Sequence, residues 1–115
     1  MIENIVRDFL ESKMDVPVLM EVPKNPKKQF VIIEKVGGGQ EDHIPSSILA
    51  IQSYGATMYD AASRNDEVKH WMLDGIEGII TLDDIASVNL NSDYNYTDTA
   101  EKRYRYQALY DITHY

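Results

Sequence analysis

The spacing of apolar residues changes at Gly55, and this change limits the fold more than any other feature of the sequence. Up to Gly55, the segment "SSILAIQSYG" is typical of a strand. Beyond it, apolar residues recur at roughly helical intervals on one stripe: Met58, Ala61, Ala62, Val68, Met72 and Ile76. The sequence therefore predicts a strand that leads into a helix over "ATMYDAASRNDEVKHWMLDGI", which we expect Gly75 and Gly78 to end.

Three more elements are predicted before this strand. The opening "MIENIVRDFLESK" carries its apolar residues on one helical face, and "DVPVLMEV" and "QFVIIEKV" have the composition of strands. Because only the proline-containing "PKNPKK" separates the two strands, we expect an antiparallel hairpin. The glycines of "GGGQEDHIP" predict a turn or flexible loop after it.

Two strands, "IASVNLNSDYNY" and "EKRYRYQALYDITHY", complete the element order. With the helices separated from the hairpins, this order predicts an α+β fold: a mainly antiparallel sheet of about five strands with two helices packed on it. A chain of 115 residues has room for one domain, which we place at 1–115.

The last strand alternates clearly between two faces. Tyr104, Tyr106 and Tyr110 share one face, and Arg105 and Gln107 share the other, which is mostly polar. The tyrosines could pack on the helices with their hydroxyls at the rim, or they could form part of a protein interface, where Tyr and Arg are enriched. A long strand at the end of the chain is also expected to leave a sheet edge that a partner subunit could cover.

Charge is unevenly distributed along the chain. The formal net charge is -8, and residues 36–98 hold eleven acidic residues against Arg64 and Lys69. Cationic residues concentrate in one loop and at the start of the last strand: Lys24, Lys27, Lys28, Lys102, Arg103 and Arg105. Two unlike surfaces of this kind favour self-association, although charges placed for solubility would give the same pattern. The acidic balance argues against specific nucleic-acid binding.

The sequence offers little that predicts catalysis or a cofactor. Cysteine is absent, and His43, His70 and His114 lack the paired spacing of a metal site. An enzyme would need His70 or Asp84 to meet a second catalytic group. We therefore expect no enzymatic activity, no catalytic residue, no metal and no cofactor. With neither a signal-peptide pattern nor an apolar run of membrane-spanning length, the chain is expected to be soluble and intracellular, without a membrane partner.

Three segments carry a resemblance to a known family: "IQSYGAT", "SDYNYTDT" and "YRYQALYDITHY". In these segments and in the order of its elements, the chain resembles the tail terminator and head-tail joining (tail completion) proteins of long-tailed, non-contractile phages and of prophages of Gram-positive bacteria. The resemblance covers about the last two-thirds of the chain well and the first third by element order alone.

The resemblance implies a structural assembly protein. Such subunits form a homo-oligomeric, hexameric ring at the end of the tail tube, stop tube polymerisation and connect to the head connector proteins, while DNA passes through the ring. Their place is the bacterial host cytoplasm during virion assembly and then the head-tail junction. The residues expected at the subunit interface are Tyr94, Tyr96, Asp98, Arg103, Arg105 and Tyr106. The residues expected in assembly loops are Lys24, Lys27, Lys28, Gly37, Gly38 and Gly39.

Two alternatives stay open on the sequence alone. One is another minor virion or neck protein of the same phage module. The other is a small ligand-binding or regulatory module, which a deep pocket with convergent polar groups would favour. For the predicted assembly loops, simple connection of the strands is the alternative to contact with tube or connector.

Overall fold

The computed structural model describes residues 1–41, 43–101 and 103–115 and confirms the predicted α+β fold. Expectations that concern Asp42 and Lys102 lie outside the described residues. The elements in chain order are α1 (Ile2–Lys13), β1 (Val18–Leu19), β2 (Phe30–Glu41), β3 (Ile44–Gly55), α2 (Met58–Leu73), a 3-10 turn (Ile79–Thr81), β4 (Ile85–Asn95) and β5 (Tyr104–His114). Among the described residues, no helix is long and apolar enough to cross a membrane.

The five strands form one mixed sheet in the order β1-β2-β3-β5-β4. The pairs β2/β3, β3/β5 and β5/β4 are antiparallel, as predicted for most of the sheet. The predicted hairpin between the first two strands is wrong, because β1 pairs parallel to β2, with Val18 opposite Val31. Only two residues of "DVPVLMEV" form strand, and Met20 and Val22 are exposed. Residues 20–29 form the connection that carries the chain back to the end of the sheet at which β1 begins, so that β2 runs parallel to β1.

The expectation that the last strand lies at a sheet edge is also wrong. β5 is an inner strand, hydrogen-bonded to β3 on one side and to β4 on the other. Its Ala108, Tyr110 and Ile112 are fully or almost fully buried, which an inner position explains. The long edge strand is β4.

Gly37, Gly38 and Gly39 lie in β2, so the predicted loop there is wrong as well. They pair with Ile48, Ser47 and Ser46 of β3, after a bulge between Lys35 and Gly37. Backbone hydrogen bonds to a long partner strand keep the glycines extended, and glycine tolerates a bulge well. The β2/β3 hairpin therefore extends to Glu41 and Ile44, and His43 between them has a positive φ of 67°.

Both helices pack on the same face of the sheet. The main core contains α1 residues such as Leu10, α2 residues such as Val68, and the strand residues Ile33, Ile51 and Tyr110. The helical stripes predicted for α1 and α2 are confirmed apart from one residue. Ile76 lies beyond the end of α2, and 86% of its surface is exposed.

The start of α2 is fixed by two features of the preceding turn. The Thr57 hydroxyl accepts a hydrogen bond from the backbone N–H of Asp60 at 3.1 Å and so caps the helix. Gly55 lies so close to the first turn that a Cβ there would be 2.4 Å from the backbone nitrogen of Ala61. The glycine of "IQSYGAT" therefore allows the helix to begin against the end of β3.

A buried polar group ties the middle of α2 to the edge strand β4. The Asn65 side-chain amide donates to an Asp93 carboxylate oxygen at 2.7 Å, and the Lys69 ammonium group lies 2.6 Å from the other. The hydrogen bond that Lys69 donates to Asp93 raises the pKa of Lys69 above its ordinary value, because it stabilises the charged ammonium group.

Candidate functional site: the helix-free face of the sheet

One face of the sheet is not covered by either helix in the described part of the chain. We call its aromatic and polar centre the tyrosine–arginine face, and it consists of Tyr54, Tyr94, Tyr96, Arg105 and Gln107. The register places these side chains together, because Tyr54 of β3 is opposite Arg105 of β5, and Gln107 of β5 is opposite Tyr94 of β4.

A row of hydrogen bonds crosses this face from strand to strand. An Arg105 Nη atom donates to the Tyr54 hydroxyl at 2.9 Å, and that hydroxyl donates to the side-chain oxygen of Gln52 at 3.3 Å. The Gln52 amide donates to the Gln107 oxygen at 2.8 Å, and the Gln107 amide in turn donates to the Tyr94 hydroxyl. Each member limits the rotamers of the next, so the face is ordered before any partner binds.

Arg105 is held at the centre of an aromatic group. Its Nε atom donates to the backbone carbonyl of Tyr96 at 2.6 Å. Its guanidinium carbon lies 4.5 Å from the Tyr96 ring centroid and 5.7 Å from that of Tyr54. Tyr94 and Tyr96 meet edge to face with their centroids 5.8 Å apart. These cation–π and aromatic contacts fix a positive charge on a flat aromatic surface.

The tyrosine–arginine face is buried at the β2 side and exposed at the β4 side. Phe30 and Tyr54 stack with their centroids 4.3 Å apart and are almost fully buried, together with Ile32. Gln107 is 8% exposed, whereas Tyr94 and Tyr96 are 41% and 42% exposed. The exposed tyrosines therefore border the edge strand, where another protein could reach them.

The edge strand β4 is protected along part of its length. Its pairing with β5 is interrupted by bulges between Ile85 and Ser87 and between Leu90 and Ser92. Bulges of this kind hinder uncontrolled pairing of an edge with other strands. Two stretches of β4 pair regularly, residues 87–90 and 92–95, and the second includes Tyr94. The exposed tyrosine therefore stands on a part of the edge that has the regular shape a partner strand needs.

A cleft lies where the tyrosine–arginine face meets the end of the sheet. Its volume is about 270 Å³, and we call it the basic cleft. It is lined by Pro26, Lys27, Lys28, Phe30, Tyr54, Gly55, Ala56, Arg103 and Tyr104. The predicted basic loop and the predicted basic start of the last strand therefore come together in space, although they are far apart in sequence.

The other predicted site residues lie elsewhere. Asp98 pairs with Arg103 through the backbone, and its carboxylate accepts hydrogen bonds from the backbone N–H groups of Ala100 and Glu101 at 3.0 and 3.2 Å. This contact shapes the β4–β5 turn. Tyr106 is opposite Ser53 and shares the sheet face of the core rather than the tyrosine–arginine face.

The two groups of predicted assembly-loop residues do not form one surface. Lys24 is exposed beside a second open cleft of about 480 Å³, which includes Arg7 and Met20. Lys27 and Lys28 line the basic cleft, whereas the three glycines lie on the β2/β3 hairpin, beside the opposite end of β5. The glycines are therefore strand residues, separate from the basic loop.

Sequence reasoning missed Tyr54 and Gln107 as members of the tyrosine–arginine face, and Gln52 as the residue that links them by hydrogen bonds. The alternation of β5 did place Arg105 and Gln107 on one face. The sequence of β5 alone indicates only a polar face, because the tyrosines that complete it come from β3 and β4 and join it only through strand pairing. The aromatic face of β5 itself supplies Tyr110 to the core, as in the helix-packing interpretation.

Groups with catalytic or metal-binding potential are scattered. Across residues 1–41, 43–101 and 103–115, His, Asp and Glu side chains do not gather into a set of three that could hold a metal ion. His114 contacts the Ser47 hydroxyl at 3.0 Å, and His70 stacks edge to face on Trp71. The burial of Tyr110, with a smaller effect from the Asp93 charge, raises the pKa of its phenol well above the ordinary value.

The chain matches no known protein-family model and no curated protein sequence.

Proposed function

We propose that this protein is a structural assembly subunit of a phage or prophage, either a tail terminator or a head-tail joining protein. In this role it forms a ring at the end of the tail tube, stops tube polymerisation and connects the tail to the head. It would act in the host cytoplasm during assembly and then remain at the head-tail junction. The mechanism is association between copies, without catalysis.

The observation that carries this proposal is the exposed edge of the tyrosine–arginine face. Tyr and Arg contribute much of the binding energy in many protein interfaces, because they bury large rigid surfaces and pair well. Here Tyr94 and Tyr96 stand beside Arg105 at the open edge of the sheet, held in place by hydrogen bonds. An ordered surface loses little conformational entropy on binding, which favours its use as an interface.

A ring needs two different surfaces on each subunit. In a cyclic assembly with head-to-tail contacts, one surface of a copy binds a different surface of the next copy. The basic cleft and the acidic residues Asp74 and Glu77 lie at opposite ends of α2, which supports this arrangement. An acidic remainder would also repel phosphate, so that DNA could pass through the ring without binding to it.

The test is negative-stain imaging of tail tubes assembled with and without this protein, using the tube subunit encoded by the same phage genome. We expect tubes of defined length that end in a ring when the protein is present. A double variant with Tyr94→Ala and Tyr96→Ala should leave tubes uncapped. The matched control is Tyr59→Ala, since Tyr59 is 79% exposed and lies on α2 rather than on β4. Tubes that elongate equally in every sample would contradict the proposal.

DNA binding gives a second check. Because the net charge is -8, the protein should bind duplex DNA only weakly even at low salt. Fluorescence anisotropy with a labelled duplex would measure this affinity. Tight binding that salt abolishes would contradict the proposed free passage of DNA.

A further inference from the structure

An exposed apolar side chain stands between acidic residues at the far end of α2. Ile76 follows the helix, is 86% exposed, and is flanked by Asp74 and Glu77. Single exposed apolar residues are common, so exposure alone would mean little. Ile76 differs because the segment that carries it has a fixed shape. We call Asp74, Ile76 and Glu77 the acidic knob.

Asp74 gives the acidic knob its shape. One of its carboxylate oxygens accepts hydrogen bonds from the backbone N–H groups of Ile76 and Glu77, each at 2.7 Å. The carboxylate is charged at neutral pH, and these two bonds, that of Glu77 above all, lower the pKa of Asp74, so that it keeps the turn closed in mild acid as well. A backbone hydrogen bond also closes this turn, because the N–H of Gly78 donates to the Asp74 carbonyl oxygen at 3.2 Å.

The acidic knob and the basic cleft lie at opposite ends of the same helix. Gly55 and Ala56, which line the basic cleft, directly precede α2, and the acidic knob directly follows it. A helix of 16 residues has a length of about 24 Å at 1.5 Å per residue. One copy therefore cannot place its own knob in its own cleft.

The basic cleft suits an acidic and apolar occupant. Its walls combine the cations Lys27, Lys28 and Arg103 with the rings of Phe30, Tyr54 and Tyr104. Among the described residues, the Lys and Arg side chains in ion pairs are Arg7, Arg64, Lys69 and Arg103. The lysines of the cleft are not among them. An acidic side chain from outside could therefore pair with Lys27 or Lys28 without breaking an existing bond.

We infer that the basic cleft receives the acidic knob of a second copy of this chain. Ile76 would lie against the aromatic wall, and Glu77 would approach Lys27 and Lys28. Such a contact joins the end of one α2 to the beginning of the next, and repetition generates a head-to-tail chain that can close into a ring. This contact would identify the surfaces through which copies of the chain join. It rests on the proposed function only in that copies must associate.

The size of the cleft favours a side chain over a small molecule. Ligand sites of proteins usually have volumes of about 300 to 1,000 Å³ and bury most of the ligand. At about 270 Å³ the basic cleft is below this range, and it is open to solvent. A protruding residue that brings its own acidic neighbours fits such a site better than a free ligand does.

The absence of native cysteine allows a direct test by disulfide capture. A variant with Ala56→Cys and Ile76→Cys carries one thiol beside the cleft and one on the knob. Since a disulfide requires Cα atoms within about 7 Å, the two thiols of one copy cannot join across α2. Mild oxidation should give a ladder of cross-linked species on a non-reducing gel. Either single variant carries one thiol per chain, so its cross-linked products should be no larger than a dimer.

The matched control pairs Ala56→Cys with Val36→Cys, which is exposed on the long β2/β3 hairpin. An equal ladder from this control would show random collision and overturn the inference. The first variant could fail to give a ladder while native mass spectrometry still shows closed oligomers. This result would overturn the inference and leave the proposed function standing. A ladder from a protein that fails to cap tail tubes would support the contact and count against the proposed function.

A charge swap gives an independent readout. Lys28→Glu should place two acids opposite each other at the contact and weaken self-association about fivefold. Glu77→Lys should do the same with two cations. The double variant should restore most of the affinity, because the pair is then reversed. Lys35→Glu, which changes the net charge equally on the long hairpin, should have little effect. If the double variant associates as weakly as each single one, the contact is wrong.

Discussion

Tyr110 and Tyr94 have the same side chain but opposite environments. Tyr110 is fully buried in the core, and its hydroxyl has no hydrogen-bond partner among the described residues. Tyr94 is exposed and accepts a hydrogen bond from Gln107. The first tyrosine therefore serves stability, whereas the second is available to a partner. The sequence indicated that tyrosines could pack in the core or form an interface, but it did not decide which tyrosine does which. Strand order decides this, because it determines which tyrosine is covered.

Tyr110→Phe should change the pH dependence of stability. Burial raises the pKa of the Tyr110 phenol, so above about pH 10 the phenol ionises more readily in the unfolded state than in the folded one. This favours unfolding as the pH rises. The variant should therefore lose about 1 kcal/mol less stability than the wild type between about pH 9 and 11 in urea titrations. Tyr59→Phe, at an exposed site, is the control, and an identical pH dependence in wild type and Tyr110→Phe would refute the assignment.

Asp74 should have its effect at the other end of the pH range. The two backbone N–H groups lower the pKa of Asp74 in the folded state. Its contribution to the free energy of unfolding is therefore complete above its ordinary pKa of 3.8 and is lost as the pH falls through the lowered value. Asp74→Ala should therefore remove part of the acid-induced loss of stability. Urea unfolding followed from about pH 5 to about pH 2 would measure the difference between variant and wild type. Parallel curves would contradict the capping role.

The elements were predictable where local pattern alone decides. The two helices and the three long strands β3, β4 and β5 follow from periodicity, and the structure confirms each as an element of the predicted type. The predicted loop at Gly37–Gly39 is wrong, because the extended shape of this run depends on pairing with Ser46, Ser47 and Ile48 of β3. The parallel position of β1 depends in the same way on Val31, a residue more than ten positions away along the chain.

Gly55→Ala tests the junction between β3 and α2. The added Cβ would meet the backbone of the first helical turn, with Ala61 N at 2.4 Å and the Asp60 carbonyl carbon at 2.8 Å. Backbone cannot move aside as a side chain can, so we expect a loss of about 2 kcal/mol or more in the free energy of unfolding. Denaturant titration with circular dichroism would measure it.

Gly75→Ala is the matched control for this substitution. A Cβ at position 75 has no neighbour within 4 Å, so the change should stay within about 0.5 kcal/mol. If both alanine variants were equally stable, the close approach of α2 to the end of β3 would be in doubt.

At the scale of the whole molecule, chemically different groups lie beside the two ends of α2. The sequence predicted a split of charge, and the basic loop and the start of β5 do meet in one cleft. The position of Ile76 was not predictable, because its place in the helical stripe indicated burial, and only the early end of α2 at Leu73 exposes it. The sheet edge was assigned to the wrong strand because strand order depends on contacts distant in sequence.

Native mass spectrometry of the wild-type protein across a concentration series tests the central claim most directly, since that claim is association of copies through unlike ends. The account predicts one closed oligomer of defined size, which Lys28→Glu shifts towards monomer and the added Glu77→Lys restores. A protein that remains monomeric at every concentration, or that stops at a dimer unaffected by either substitution, would contradict it.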